Sequence, residues 1–169
     1  MKLKKIICWP PLLGGIGAAV TITILTYITF ESVLSGTNYG LWLTASFGSS
    51  VVVVFGYPNN EFAQPKNVLL SHIVCTLVGI IFVTLFKISQ DRSIFFLGIG
   101  LAVGISVMLM MIFKITHPPA GANTIVVIMA QESFQFLLFP IITGAITIII
   151  GGVIYNRFIL KKKYPLRWS

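Results

Sequence analysis

Two histidines, two clusters of small polar residues and a few lysines beside long apolar runs are the side chains in this sequence that could do chemistry. One cluster is Ser46, Gly48, Ser49 and Ser50; the other carries Lys114, His117, Pro118, Pro119, Gly121, Asn123 and Thr124. Each opens a short apolar segment. A helix that starts inside a membrane presents unpaired amides and the positive end of its dipole, which suits an anion stripped of water. Ser46, Ser49 and Ser50 from one start, and His117, Asn123 and Thr124 from the other, would then donate to a small oxyanion while the glycines let it reach the backbone. Lys66 and Lys114 would add positive charge at the approaches. The competing reading is that the small residues serve helix packing and the lysines snorkel.

The histidines differ in setting. His72 lies inside an apolar run, where an imidazole needs a partner or a wet path. It sits beside a face on which Asn67, Ser71 and Cys75 recur at i, i+4 and i+8. His117 precedes two prolines at a helix restart, where it could donate to an anion and titrate near neutrality.

Acids are scarce. The four are Glu31, Glu61, Asp91 and Glu132, each in or beside a polar break. A paired-carboxylate active site, a hard-cation site and a carboxylate proton relay all need buried acids, so these classes are excluded. Cys8 and Cys75 form neither a disulfide framework nor a CxxC motif. With no nucleophile beside an orienting base, no metal-ligand cluster and no cofactor motif in the pattern, the sequence points away from an enzyme.

The elements that must position these groups are membrane helices. Hydrophobic residues make up 56% of the 169-residue chain and charged residues 9%, with a mean hydropathy of +0.96. So apolar a surface needs lipid to cover it. Full-length segments are expected over 11–30, 67–86, 94–113 and 136–158, with short ones over 41–56 and 119–130. A run of about 16 residues reaches only about 24 Å against a hydrocarbon core of about 30 Å. Glycines at 14, 15 and 17, and at 98, 100 and 104, mark close-packing faces. Pro140 is placed to kink the last segment.

The apolar run after the basic start is long enough to span and reads as a retained helix rather than a signal peptide. Lys2, Lys4, Lys5, Arg157, Lys161, Lys162, Lys163 and Arg167 flank the helical region. By the positive-inside rule these basic tails, 1–10 and 159–169, are cytoplasmic, so the number of crossings is even. Nucleic acid is not expected, because no basic residues interleave with aromatics outside the tails.

Sliding the second half over the first by 73 positions lays Gly48 on Gly121 and residues 47–54 on 120–127. The expected fold is therefore all-α and integral to the membrane. Four full-length transmembrane helices and two short, half or re-entrant, helices form two three-segment repeats, about 11–87 and 94–158, within one membrane domain. If the short segments cross, there are six crossings and inverted halves; if they dip and return, there are four and the halves are parallel.

The stretch Thr116-His117-Pro118-Pro119-Ala120-Gly121-Ala122, with SFGSS at 46–50 and AQPKN at 63–67 followed by His72, resembles the HPP family of small integral membrane proteins across roughly 41–152. The resemblance marks Gln64, Pro65, Lys66, Asn67, His117, Pro118, Pro119 and Gly121 as motif positions. It implies four membrane helices and a transporter, with nitrite a substrate of some relatives. The expectation is a transporter or channel for a small monovalent anion, nitrite first, in the plasma or inner membrane. It needs no cofactor and works with membrane lipid and as a homo-oligomer. The alternative is a non-transporting scaffold or partner-binding module.

Overall fold

The computed structural model describes residues 9–34, 43–86 and 92–168. Lys2, Lys4, Lys5, Cys8, Lys87 and Asp91 lie outside the described residues, as do the side chains of Glu31 and Arg92.

Six helices carry the described chain: α1 Trp9–Leu34, α2 Leu43–Gly56, α3 Pro65–Phe86, α4 Arg92–Ile112, α5 Pro118–Ala130 and α6 Phe134–Ile159. Four, namely α1, α3, α4 and α6, contain stretches long and apolar enough to cross a membrane, while α2 and α5 are shorter. Their starts and stops follow local chemistry. Pro65 begins α3 and two prolines begin α5, positions where a missing amide costs nothing. Gln131 closes α5 in the left-handed region (φ 55). Within α6, Phe139 leaves helical geometry at φ −136, ψ 118, because the residue before a proline is pushed toward extended backbone. The kink expected at Pro140 is therefore present.

Packing fixes the direction of each helix. On α1 and α6, Thr21 meets Gly151 while Gly14 and Gly17 meet Tyr155, so the two run antiparallel. Phe47 meets Gly144 and Val54 meets Gly152, so α2 runs with α6. Cys75 of α3 touches Met110 of α4, and Ser71 donates to the Ile115 carbonyl further along the chain, so those two are antiparallel. The Thr124 hydroxyl donates to the Cys75 carbonyl (2.8 Å) and Val127 packs on Gly79, so α5 runs with α3. Successive helices thus alternate in direction through the bundle. Helix α5 keeps one direction from Pro118 to Ala130 without turning back. We call the side carrying residues 57–64 face I; the start of α1 and the end of α6 share it.

The core joins α2, α3 and α6 around Phe47, Val54, Val68, Phe136, Ile141 and Ile148. Two expectations about small residues come out differently. Gly14 and Gly17 do pack closely, on Tyr155 and Phe55, but Gly15 has open space beside it. On α4, Gly98 is buried as expected, but Gly100 and Gly104 are exposed and a Cβ on either would meet nothing within 4 Å. The segment after α6 is not a plain basic tail either: Tyr164 is fully buried and its hydroxyl donates to the Ala63 carbonyl (2.7 Å).

Candidate functional site: a serine held between two histidines

Helices α2, α3 and α5 bring three polar side chains to one buried point. Ser50 Oγ lies 3.1 Å from His72 Nε2 and 2.9 Å from His117 Nε2. The far nitrogens of both rings are also engaged. His117 Nδ1 is 2.7 Å from the Phe62 carbonyl, and His72 Nδ1 is 2.8 Å from Asn123 Nδ2. The imidazole centroids are 5.4 Å apart, and the Phe47 ring leans on His72 at 4.9 Å. Ser50, His72, and His117 are each fully inaccessible, and Asn123 nearly so.

The partners decide where the protons sit. A carbonyl can only accept, so His117 carries its proton on Nδ1, and its neutral Nε2 accepts from the Ser50 hydroxyl. The Asn123 amide donates to His72 Nδ1, so His72 carries its proton on Nε2 and donates it to Ser50 Oγ. Were the His72 proton on Nδ1 instead, two ring nitrogens would compete for one serine hydrogen. The neutral arrangement therefore runs one way: Asn123 to His72, to Ser50, to His117, to the Phe62 carbonyl. Every group is satisfied, as a buried polar network requires.

The backbone that holds this chain is itself tied down. Asn60 accepts from the Phe62 amide (2.9 Å) and caps the turn Glu61–Ala63, which presents the Phe62 carbonyl. Gln64 donates to the Pro58 and Asn60 carbonyls (both 2.9 Å). Asn67 donates to the Thr116 carbonyl (3.1 Å), fixing the strand-like residues that lead into His117. Asn67, Ser71 and Cys75 thus share a face as their spacing predicts, and that face grips the end of α4. On face I, next to this turn, an open cavity of about 240 Å³ is lined by Glu61, Gln64, Lys66, Asn67, Lys114 and Arg167.

The predicted site residues divide accordingly. Ser50, His72, His117 and Asn123 meet directly, and Ser46 contributes its carbonyl, which accepts the Ser49 hydroxyl (2.9 Å) and lies 2.9 Å from Ser50 Oγ. Lys66, Asn67 and Lys114 line the mouth. Thr124 belongs to a neighbouring knot, accepting from Ser106 (2.7 Å) while it donates to Cys75. Gly48 and Gly121 face open space, Ser49 and Pro118 are exposed, and Pro119 is half-buried.

The open amides expected at the two short-helix starts are not what the chain builds. Helix α2 begins at Leu43, so the amides of Gly48, Ser49 and Ser50 fall inside its own ladder. At α5 the prolines have no N–H, the Ala120 amide bonds the His117 carbonyl (3.0 Å), and Gly121 bonds back to Pro118 and Pro119. The two starts do converge, but through side chains.

Sequence reasoning missed Thr76, Ser106, Tyr164 and the part Arg167 plays at the mouth. Thr76, 3.3 Å from Asn123 Nδ2, stands at i+4 from His72, a spacing that could have flagged it. It also missed that Ser50 stands to His117 as a nucleophile to a base, with the Phe62 carbonyl orienting the ring.

The chain matches the transmembrane region of the HPP family over residues 5–165. Two transmembrane proteins of Dictyostelium discoideum are similar to it. One is 35% identical over 131 residues, covering 75% of this chain and 45% of the relative. The other is 32% identical over 165 residues, covering 95% of this chain and 50% of the relative. The chain thus spans about half the length of these relatives. No solved structure matches it. With its helix-restart His-Pro-Pro at the centre of the buried network and the match running nearly end to end, the chain belongs to the HPP family of integral membrane proteins.

Proposed function

We propose that this chain moves a small monovalent anion across the membrane, with nitrite the first candidate, and that side chains rather than helix-end amides handle it. The observation that carries the reading is the buried Ser50 hydroxyl between His72 and His117, in the middle of an apolar bundle and beside a mouth bearing Lys66, Lys114 and Arg167. Buried polar groups in a membrane interior are costly and mark pathways or proton handling. The cationic mouth raises local anion concentration. Face I gathers Lys66, Lys114, Arg157, Lys161, Lys162, Lys163 and Arg167, which by the positive-inside rule supports a cytoplasmic position for it. With helix directions alternating, Lys66 and Lys114 lie on the same side as the basic segment after α6.

Inward movement of one negative charge against a negative-inside potential costs about 2.3 kcal/mol per 100 mV. Uptake therefore needs a gradient or a coupled proton, and the imidazoles of His72 and His117 are the side chains of the described interior through which a proton could be carried. Purified protein in liposomes tests the reading. Flux of nitrite, nitrate, formate or chloride above that of empty vesicles is expected for at least one anion; none across the panel ends it.

The Ser50–His117 geometry favours a second reading, an intramembrane hydrolase. Ser50 is wholly buried and the amides beside it are occupied, so neither substrate approach nor oxyanion donors are in place. A fluorophosphonate probe separates the two: covalent labelling of Ser50 supports hydrolysis, and transport expects none.

A further inference from the structure

We propose that Ser50 is a hydroxyl rotor that lets the buried site take up one proton, on His117, without moving a heavy atom. The Ser50 Oγ has two acceptors in reach, His117 Nε2 at 2.9 Å and the Ser46 carbonyl at 2.9 Å, and only one hydrogen to give. In the neutral state that hydrogen goes to His117. When hydronium gives a proton to the His117 Nε2 lone pair and leaves as water, Nε2 becomes a donor. The Ser50 hydrogen then turns to the Ser46 carbonyl, and both serine lone pairs accept, one from each imidazole. An N–H bond forms, no electrons are transferred, and Ser50 and the ring nitrogens of both histidines stay satisfied in both states. The Ser46 carbonyl loses nothing in the neutral state, because it keeps the Ser49 hydroxyl at 2.9 Å.

The same geometry selects His117 over His72. Protonating His72 would place a proton on Nδ1, which faces the donating Asn123 amide at 2.8 Å, so the amide would have to turn over. It also limits the uptake to one, since a second imidazolium 5.4 Å from the first in a low-dielectric interior is opposed by like charge. The titratable or charged groups on the elements around His117 are His72, Lys66 and Cys75 on α3, Tyr57 and Glu61 on the turn, Lys114 after α4, and Lys161, Lys162, Lys163, Tyr164 and Arg167 after α6; the described side chains of α2 and α5 contribute none. No carboxylate of the described residues lies within the bundle to neutralise the new imidazolium. An uncompensated buried charge is costly, so the protonated site recruits one monovalent anion. Proton and anion load together, one to one. The proton chemistry stands on the geometry alone; its coupling to flux rests on the transport reading above.

Nitrogen-15 NMR of histidine-labelled full-length protein in lipid tests the first part. At neutral pH the two rings should be opposite tautomers, His117 protonated on Nδ1 and His72 on Nε2. On acidification in the presence of nitrite only the His117 Nε2 signal should shift to the protonated range, and Ser50→Ala should abolish that selective shift while Ser50→Thr, which keeps the hydroxyl, restores it. Identical tautomers, or both rings protonating together, would overturn the proposal. Liposomes loaded with a pH dye test the second part: one proton should accompany each nitrite in wild type. Another ratio removes the coupling. Correct tautomers without any flux would instead sink the transport reading and leave the proton site standing.

Discussion

The Tyr164 hydroxyl donates to the Ala63 carbonyl across 2.7 Å, joining the segment after α6 to the turn that presents Phe62 to His117. Leu166 and Arg167 reinforce the joint through their amides, which reach Gln64 Oε1 at 2.8 and 3.4 Å. Burial pushes the Tyr164 phenol well above its ordinary value. A group whose folded-state pKa is raised contributes stability that is complete below its unfolded value and lost as pH rises past it. Thermal stability in detergent should therefore fall as pH climbs above about 10, the unfolded phenol value. Tyr164→Phe should cost about 1 kcal/mol at neutral pH, the net worth of one hydrogen bond, and should flatten that alkaline loss. An unchanged alkaline slope in the Phe variant would assign the loss to another group.

The mouth sets a carboxylate against three cations, with Arg167 Nη2 3.2 Å from Glu61 Oε1 and both side chains largely exposed. Such a pair contributes little to stability. Its weight falls on the potential met by an incoming anion. At low ionic strength Arg167→Gln should raise the half-saturating nitrite concentration about two- to fivefold and Glu61→Gln should lower it by a similar factor, both effects fading toward 0.15 M salt as screening sets in. Equal shifts at high and low salt would mean the substitutions act through the fold.

On α4, Gly100 and Gly104 stand one turn apart with open space where a Cβ would project, flanked by exposed Leu101, Val107, Met108 and Met111. Two small residues at this spacing let helix backbones approach closely, and we propose that the homo-oligomer expected from the sequence would use that face. Light scattering on the detergent-solubilised protein should show an oligomer that Gly100→Leu with Gly104→Leu reduces to the monomer. An oligomer that survives the pair does not assemble through α4.

Much of this was legible in the sequence, for physical reasons. Apolar run length gave six helices to within a few residues, and Pro140 gave the break, because proline acts on its immediate neighbours. Asn67, Ser71 and Cys75 shared a face because helix period is local. What periodicity could not give was pairing across distance: Ser50 meets His72 22 residues on and His117 67 residues on. For the same reason the amides were expected free. His-Pro-Pro announces a helix start, but only the backbone shows Ala120 bonding to His117 and closing it. Arg167 looked like a topology anchor since nothing in its surroundings in the chain points to Glu61.

Helix α6 owes its approach to α2 to a missing side chain. A Cβ on Gly144 would sit 2.5 Å from the Phe47 ring, and that ring cannot simply retreat because it rests on His72 at 4.9 Å. Gly144→Ala should therefore destabilise the protein by about 1–3 kcal/mol, the usual cost of overpacking a filled core. It should also press Phe47 toward the imidazole and change the His72 ring shifts. Trimming the ring relieves the clash, so Phe47→Leu combined with Gly144→Ala should be more stable than the sum of the two single losses, with a coupling of about 0.5–3 kcal/mol. Thermal unfolding of the four proteins in the cycle measures it. Strict additivity would mean that the ring swings aside without cost and that Gly144 is not what sets the seat of His72.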